Sequence, residues 1–191
     1  MIFLVNFVHH VYQYPARRWC LRCAAKCQSY MVPLLKQILV ENDIEVALEE
    51  GGNPYRGGMR KARESQRFKK TFLQIAREGI RSRTITPGFV DITKKQVSEL
   101  VETGIIHDVT ELKNRPQLRD KYIAQNAGER FSKNKGENGL LLVADKHFDG
   151  VKDIFEKREI PIQSDTIDRY DWYRPIDDNL MHSNGEHTFA V

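Results

Sequence analysis

Apolar side chains occupy both faces of the opening stretch: Phe3, Val5 and Phe7 fall on one side of an extended chain, Ile2, Leu4 and Val8 on the other. Such a run predicts a strand over 2–8 that is covered on both sides. From 31 to 42 the spacing changes to that of a helix, with Leu34, Leu35, Ile38 and Leu39 on one stripe. Ile44, Val46 and Leu48 then alternate as a strand, stopped by Gly51-Gly52-Asn53-Pro54. A long helix is predicted over 58–78, with Met59, Ala62, Phe68, Phe72, Ile75 and Ala76 near one face and Gly79 as its C-cap. Residues 83–91 read as extended, with a turn at Pro87-Gly88.

Thr93 and Gln96 form a T-x-x-Q capping box, after which Val97, Leu100 and Val101 supply a buried face and Gly104 closes the helix. A second short helix is expected near Thr110, disturbed by Pro116 and continued by Leu118, Tyr122 and Ile123. Residues 125–139 are polar and rich in Gly, Asn and Lys, which predicts a mobile linker. Leu140–Ala144 is a continuous apolar strand; a helix over 149–158 turns Val151, Ile154 and Phe155 inward, and Ile160-Pro161-Ile162 opens the next strand. The resulting expectation is an α+β fold. A small mixed sheet of four to five strands, near 2–8, 44–49, 83–91, 140–144 and 160–163, carries three to four helices on one face. By segment, 1–30 reads as a strand and cysteine-bearing add-on, 31–124 as an α+β core with a basic helix, 125–139 as the linker, 140–163 as a strand–helix–strand unit and 164–191 as an acidic aromatic tail.

Charge sharpens this picture. The chain of 191 residues has a net charge of only +4, yet residues 56–84 carry +8 and residues 145–191 carry −5. Arg56, Arg60, Lys61, Arg63, Arg67, Lys69 and Lys70 follow two glycine pairs, Gly51-Gly52 and Gly57-Gly58. Glycines let a backbone approach a ligand closely, and a helix start offers unpaired N–H groups to an anion. The cations suit phosphates or an acidic protein surface, against the plainer reading of a solvated helix face. No G-K-[ST] ends the run, so it is not a Walker loop. The tail sets Tyr170, Trp172 and Tyr173 among aspartates, the aromatic residue types that anchor interfaces.

Cys20, Cys23 and Cys27 are clustered and odd in number, which speaks against a disulfide framework and for a reducing compartment. With His9 or His10 they could make a zinc site, the one cofactor the sequence suggests. Only one knuckle exists, however, and we favour small thiols packing a helix. The opening lacks a positively charged leader and a cleavage site, so secretion is not expected. It is also far shorter than the ~20 residues of a membrane helix, so no membrane partner is expected.

No complete catalytic or cofactor motif occurs, which points away from an enzyme. A metal-dependent nuclease would draw on Asp43, Glu45, Glu49 and Glu50 around one strand and Asp145-Lys146 after another. His182 and His187 near Glu186 read better as a polar tail than as a metal site.

One stretch carries a resemblance. Residues 88–106, GFVDITKKQVSELVETGII, run from an extended V-D-I-T into a capped helix with a closing glycine. This resembles a short segment of small head-assembly proteins of tailed phages. The resemblance implies a non-enzymatic virion or assembly component, cytoplasmic or virion-borne. The unlike charges at the two ends of the chain fit self-association or a protein partner independently. The alternatives are a nucleic-acid-binding regulatory or accessory protein and the small metal-dependent nuclease.

Overall fold

The computed structural model describes residues 1–7, 32–50, 71–82, 84–134 and 138–165. Five strands form one sheet: β1 (Ile2–Phe7), β2 (Val46–Glu50), β3 (Thr86–Val90), β4 (Gly139–Ala144) and β5 (Ile162–Asp165). Their spatial order is β3-β2-β4-β1-β5. The expected class therefore holds, with all five expected strands in place. Every pairing is parallel, so the sheet is not mixed. A parallel sheet must send the chain back over a face after each strand, and the helices do this on both faces rather than one.

Helix α1 spans 32–41. It is followed by α2 (Phe72–Glu78), α3 (Lys94–Glu102), α4 (Pro116–Lys133) and α5 (Asp145–Lys157). Period-two alternation sorts the strand side chains between the two layers. Phe3, Val5, Ala47, Leu140 and Leu142 join Leu35 and Leu39 of α1 and Leu73 and Ala76 of α2. Ile2, Leu4, Val46, Leu48, Leu141 and Val143 join Ile123, Ala124 and Ala127 of α4 and Phe148, Val151 and Phe155 of α5. A smaller cluster of Ile92, Val97, Leu100, Ile106 and Leu112 seats α3 beside a 3-10 turn at Val109–Asn114.

Four further expectations change. The long basic helix does not run through Thr71. That residue is extended (φ −72°, ψ 162°) and caps α2, its hydroxyl accepting from the Gln74 N–H while Gln74 reaches back to the Thr71 N–H. Thr71-x-x-Gln74 is a second capping box, hidden inside an apolar-periodic run. The polar stretch from 125 onward is not a linker as far as Lys133, because it is the second half of α4, and its polar residues lie around the buried Ile123, Ala124 and Ala127. Pro116 starts that helix, a position where its missing N–H costs nothing. Finally, β1 is no add-on, since it lies inside the sheet between β4 and β5.

The expected Thr93/Gln96 box is present, with both bonds made. Three helices end in the same left-handed cap. Asp43 (φ 49°), Gly104 (φ 69°) and Glu159 (φ 56°) each reverse the chain, and the next N–H returns to a carbonyl five residues back: Ile44 to Leu39, Ile105 to Leu100, Ile160 to Phe155.

Candidate functional site at the carboxyl rim of the sheet

Because all strands point the same way, their carboxyl ends share one rim. From β2 the chain moves through α2 to β3 on one side; from the adjacent β4 it moves through α5 to β5 on the other. Neighbouring strands whose connections diverge leave a crevice outside their carboxyl ends, where open α/β sheets bind ligands. Here that switch point lies between Glu50, the last residue of β2, and Asp145, the first of α5.

A buried charged network occupies this end of the sheet. Arg119, in the first turns of α4, donates from Nη2 to Glu50 Oε1 at 2.9 Å and to Asp91 Oδ2 at 2.7 Å, and from Nε to Asp91 Oδ1 at 3.3 Å. Glu50 Oε2 accepts the Ala144 N–H at 2.9 Å. Asp91 Oδ1 also accepts the Ile92 N–H at 2.7 Å. Asp120 and His147 meet at 2.5 Å through Oδ1 and Nδ1. The opposite ring nitrogen, Nε2, lies 3.6 Å from Glu50 Oε1 and makes no hydrogen bond among the described residues. Glu50, Asp91, Arg119, Asp120 and His147 are all buried. Burial works against the Arg119 charge, but Asp91 and Glu50 outweigh it and hold the guanidinium above its ordinary pKa. Asn126 Nδ2 donates to the Asp91 carbonyl at 2.6 Å, and Gln96 Nε2 to Asn126 Oδ1 at 2.9 Å, so the α3 capping box is tied into the same network.

The network braces the ends of β2, β3 and β4 against α4 and α5. Its carboxylates are engaged by Arg119, by backbone N–H groups and by His147. A second buried contact lies on the other face: Thr71 Oγ1 donates to Glu49 Oε1 at 2.7 Å. The segment 51–70 thus begins at Glu50 and returns at a residue bonded to Glu49.

Gly150 of α5 serves this network through its missing side chain. A Cβ there would come within 2.1 Å of Asp120 Oδ2 and 3.1 Å of Asp120 Cβ. In an ordinary helix interior Gly→Ala stabilises by ~1 kcal/mol. Gly150→Ala should instead destabilise by about 1–3 kcal/mol in urea unfolding, because Asp120 is pinned to His147 and must give way.

The sequence-derived candidates Arg56, Arg60, Lys61, Arg63, Arg67, Lys69 and Lys70 lie outside the described residues, as do Tyr170, Trp172 and Tyr173, and Cys20, Cys23 and Cys27 with His9 and His10. The nuclease acids divide between the two rims. Asp43 and Glu45 precede β2 at the amino rim, where Glu45 N–H bonds the Asn138 carbonyl, whereas Glu49 and Glu50 end β2 and Asp145 follows β4 at the carboxyl rim. Among the described residues no group of three or more His, Cys, Asp or Glu side chains is placed to hold a metal ion. None of their helices is long and apolar enough to cross a membrane.

Arg119, Asp120, Asp91 and His147 were not singled out by the sequence reading. The signal was there: Arg119 and Asp120 fall on the helical stripe continued by Ile123, Ala124 and Ala127, and His147 on that of Phe148, Val151 and Phe155. Charges on an apolar stripe imply partners for those charges.

Fold and rim together define a doubly wound parallel-sheet protein with a braced, charged switch point. No protein-family model, curated protein or solved structure matches the chain.

Proposed function

We propose that the protein binds the phosphate backbone of a nucleic acid across the carboxyl rim of its sheet, without transforming it. One observation carries this reading. The segment 51–70, with a net charge of +6, is fastened at both ends to the rim, at Glu50 and at Thr71, next to the switch point at which parallel sheets take ligands. Seven cations on a stretch so attached give a sequence-independent, salt-sensitive grip on phosphates. The charged brace fixes Glu50, the first attachment point, and the Thr71–Glu49 bond fixes the second.

The test is fluorescence anisotropy with labelled single- and double-stranded DNA and RNA. Affinity should fall with salt along a log–log slope of about −3 to −6, the range expected for several neutralised phosphates. Reversing Arg60, Lys61 and Arg67 to Glu should weaken binding at least about tenfold and flatten that slope. Salt-independent binding, or none at low salt, would refute the reading.

A second reading, a structural or assembly protein, draws support from β5. The acidic tail with Tyr170, Trp172 and Tyr173 follows that strand, so it leaves from the same rim as the basic segment. Under that reading the triple reversal abolishes self-association or capture of an acidic protein and leaves no nucleic-acid affinity to measure.

A further inference from the structure

The outer face of α3 and the turn after it leave apolar side chains in water. Val101 and Ile105 are 41% and 45% exposed, although each is apolar. Lys94, Val97, Ser98, Val101, Glu102 and Val109 line a shallow groove of about 390 Å³. Neither Lys94 nor Glu102 forms an ion pair among the described residues, whereas Lys95 and Glu99 on the adjoining face pair with each other at 3.9 Å.

The order of residues along this stripe matters. Lys94, Ser98 and Glu102 are four residues apart, so they stand in one row along the helix. The row is positive at its start, small and neutral in the middle and negative at its end. Turned end for end about a two-fold axis through Ser98, it is its own complement: Lys94 meets Glu102 of a second copy, Ser98 meets Ser98, and Glu102 meets Lys94. The small serine lets the two helices approach, and Val101 then falls beside the Val97 side and the Lys94 stem of the other helix. A self-complementary patch is what a two-fold, isologous contact requires.

We propose that α3 pairs antiparallel with α3 of a second copy, making the protein a homodimer through Lys94–Glu102 contacts around a Ser98 and Val101 centre. The proposal concerns the outward row of α3 and is read out as self-association, so it stands or falls independently of nucleic-acid binding. One helix face is smaller than the ~800 Å² per partner of a stable complex, so the dimer is weak and concentration-dependent.

Sedimentation velocity on the full chain, from low- to high-micromolar concentration, tests it. The unaltered protein should shift reversibly from monomer to dimer. Lys94→Glu and Glu102→Lys, each alone, set like charges opposite one another twice and should each weaken the dimer by about tenfold or more. The double exchange Lys94→Glu/Glu102→Lys restores both pairs and should return the dimer to near its original strength. Val101→Asp should leave only monomer. All three positions are exposed, and circular dichroism should confirm that every variant folds. A monomer at all concentrations overturns the proposal. So does a dimer indifferent to these changes, or a double exchange no better than either single change.

Discussion

Replacing Arg119 with alanine should destabilise the fold by about 3–5 kcal/mol, as for a buried ion pair stripped of one partner. The guanidinium is the one arginine or lysine in contact with Glu50 and Asp91 among the described residues, and both carboxylates are buried. Without it, among the described residues Asp91 keeps only its own-neighbour N–H and Glu50 only the Ala144 N–H, while His147 Nε2 stands too far off to bond. The loss should show as a lower urea midpoint with an unchanged slope. Because Asp91 and Glu50 raise a pKa that is already very high, Arg119 is charged at every working pH. A base with a raised folded-state pKa contributes its full stabilisation below the unfolded pKa. The Arg119 contribution should therefore be flat across neutral pH rather than appearing in a titration. Arg119→Met combined with Glu50→Gln and Asp91→Asn should recover much of the loss, since it removes the stranded charges as well as their partner.

Phe155→Ala should cost a comparable amount, about 3–5 kcal/mol, by a different route. Phe155 is fully buried in the layer between the sheet and the α4/α5 pair, in a cluster with Leu4, Leu141 and Val143. Its removal loses apolar burial and leaves a cavity that a parallel sheet, hydrogen-bonded on both sides of β4, collapses into only partly. Thermal unfolding should drop by roughly 10–15 °C. The two losses should be separable with Phe155→Leu, which keeps most of the volume and should recover most of the stability; no hydrophobic substitution should do the same at Arg119 when Glu50 and Asp91 are intact.

The strands were legible in the sequence because burial on both faces leaves continuous apolar runs, as in Ile2–Val5 and Leu140–Ala144. The parallel sense of the sheet was not, because pairing direction follows from where the chain returns rather than from any strand's composition. The α4 helix was misread from 125 onward for a related reason. It buries small residues, Ala124 and Ala127, between polar ones, so its inward stripe is faint against Gln125, Asn126 and Gly128. The capping box at Thr71 was obscured by Phe68 and Phe72, which continue the apolar spacing across the break. Of the candidate site, the sequence exposed the cations but not the brace, whose members are scattered over some hundred positions and meet only once four elements have packed.

The three left-handed helix caps have a bearing on how such a chain can change. Two of them, at Asp43 and Glu159, hand α1 and α5 back to the sheet within a few residues at the amino rim. That side of the molecule is stitched by short turns and tolerates little alteration in length. The opposite side, where the cysteine-bearing, basic and acidic stretches all attach, can gain, lose or exchange sequence without disturbing the stitching. New binding properties in this architecture would arise by remaking one side of the molecule while the other keeps the strands in register.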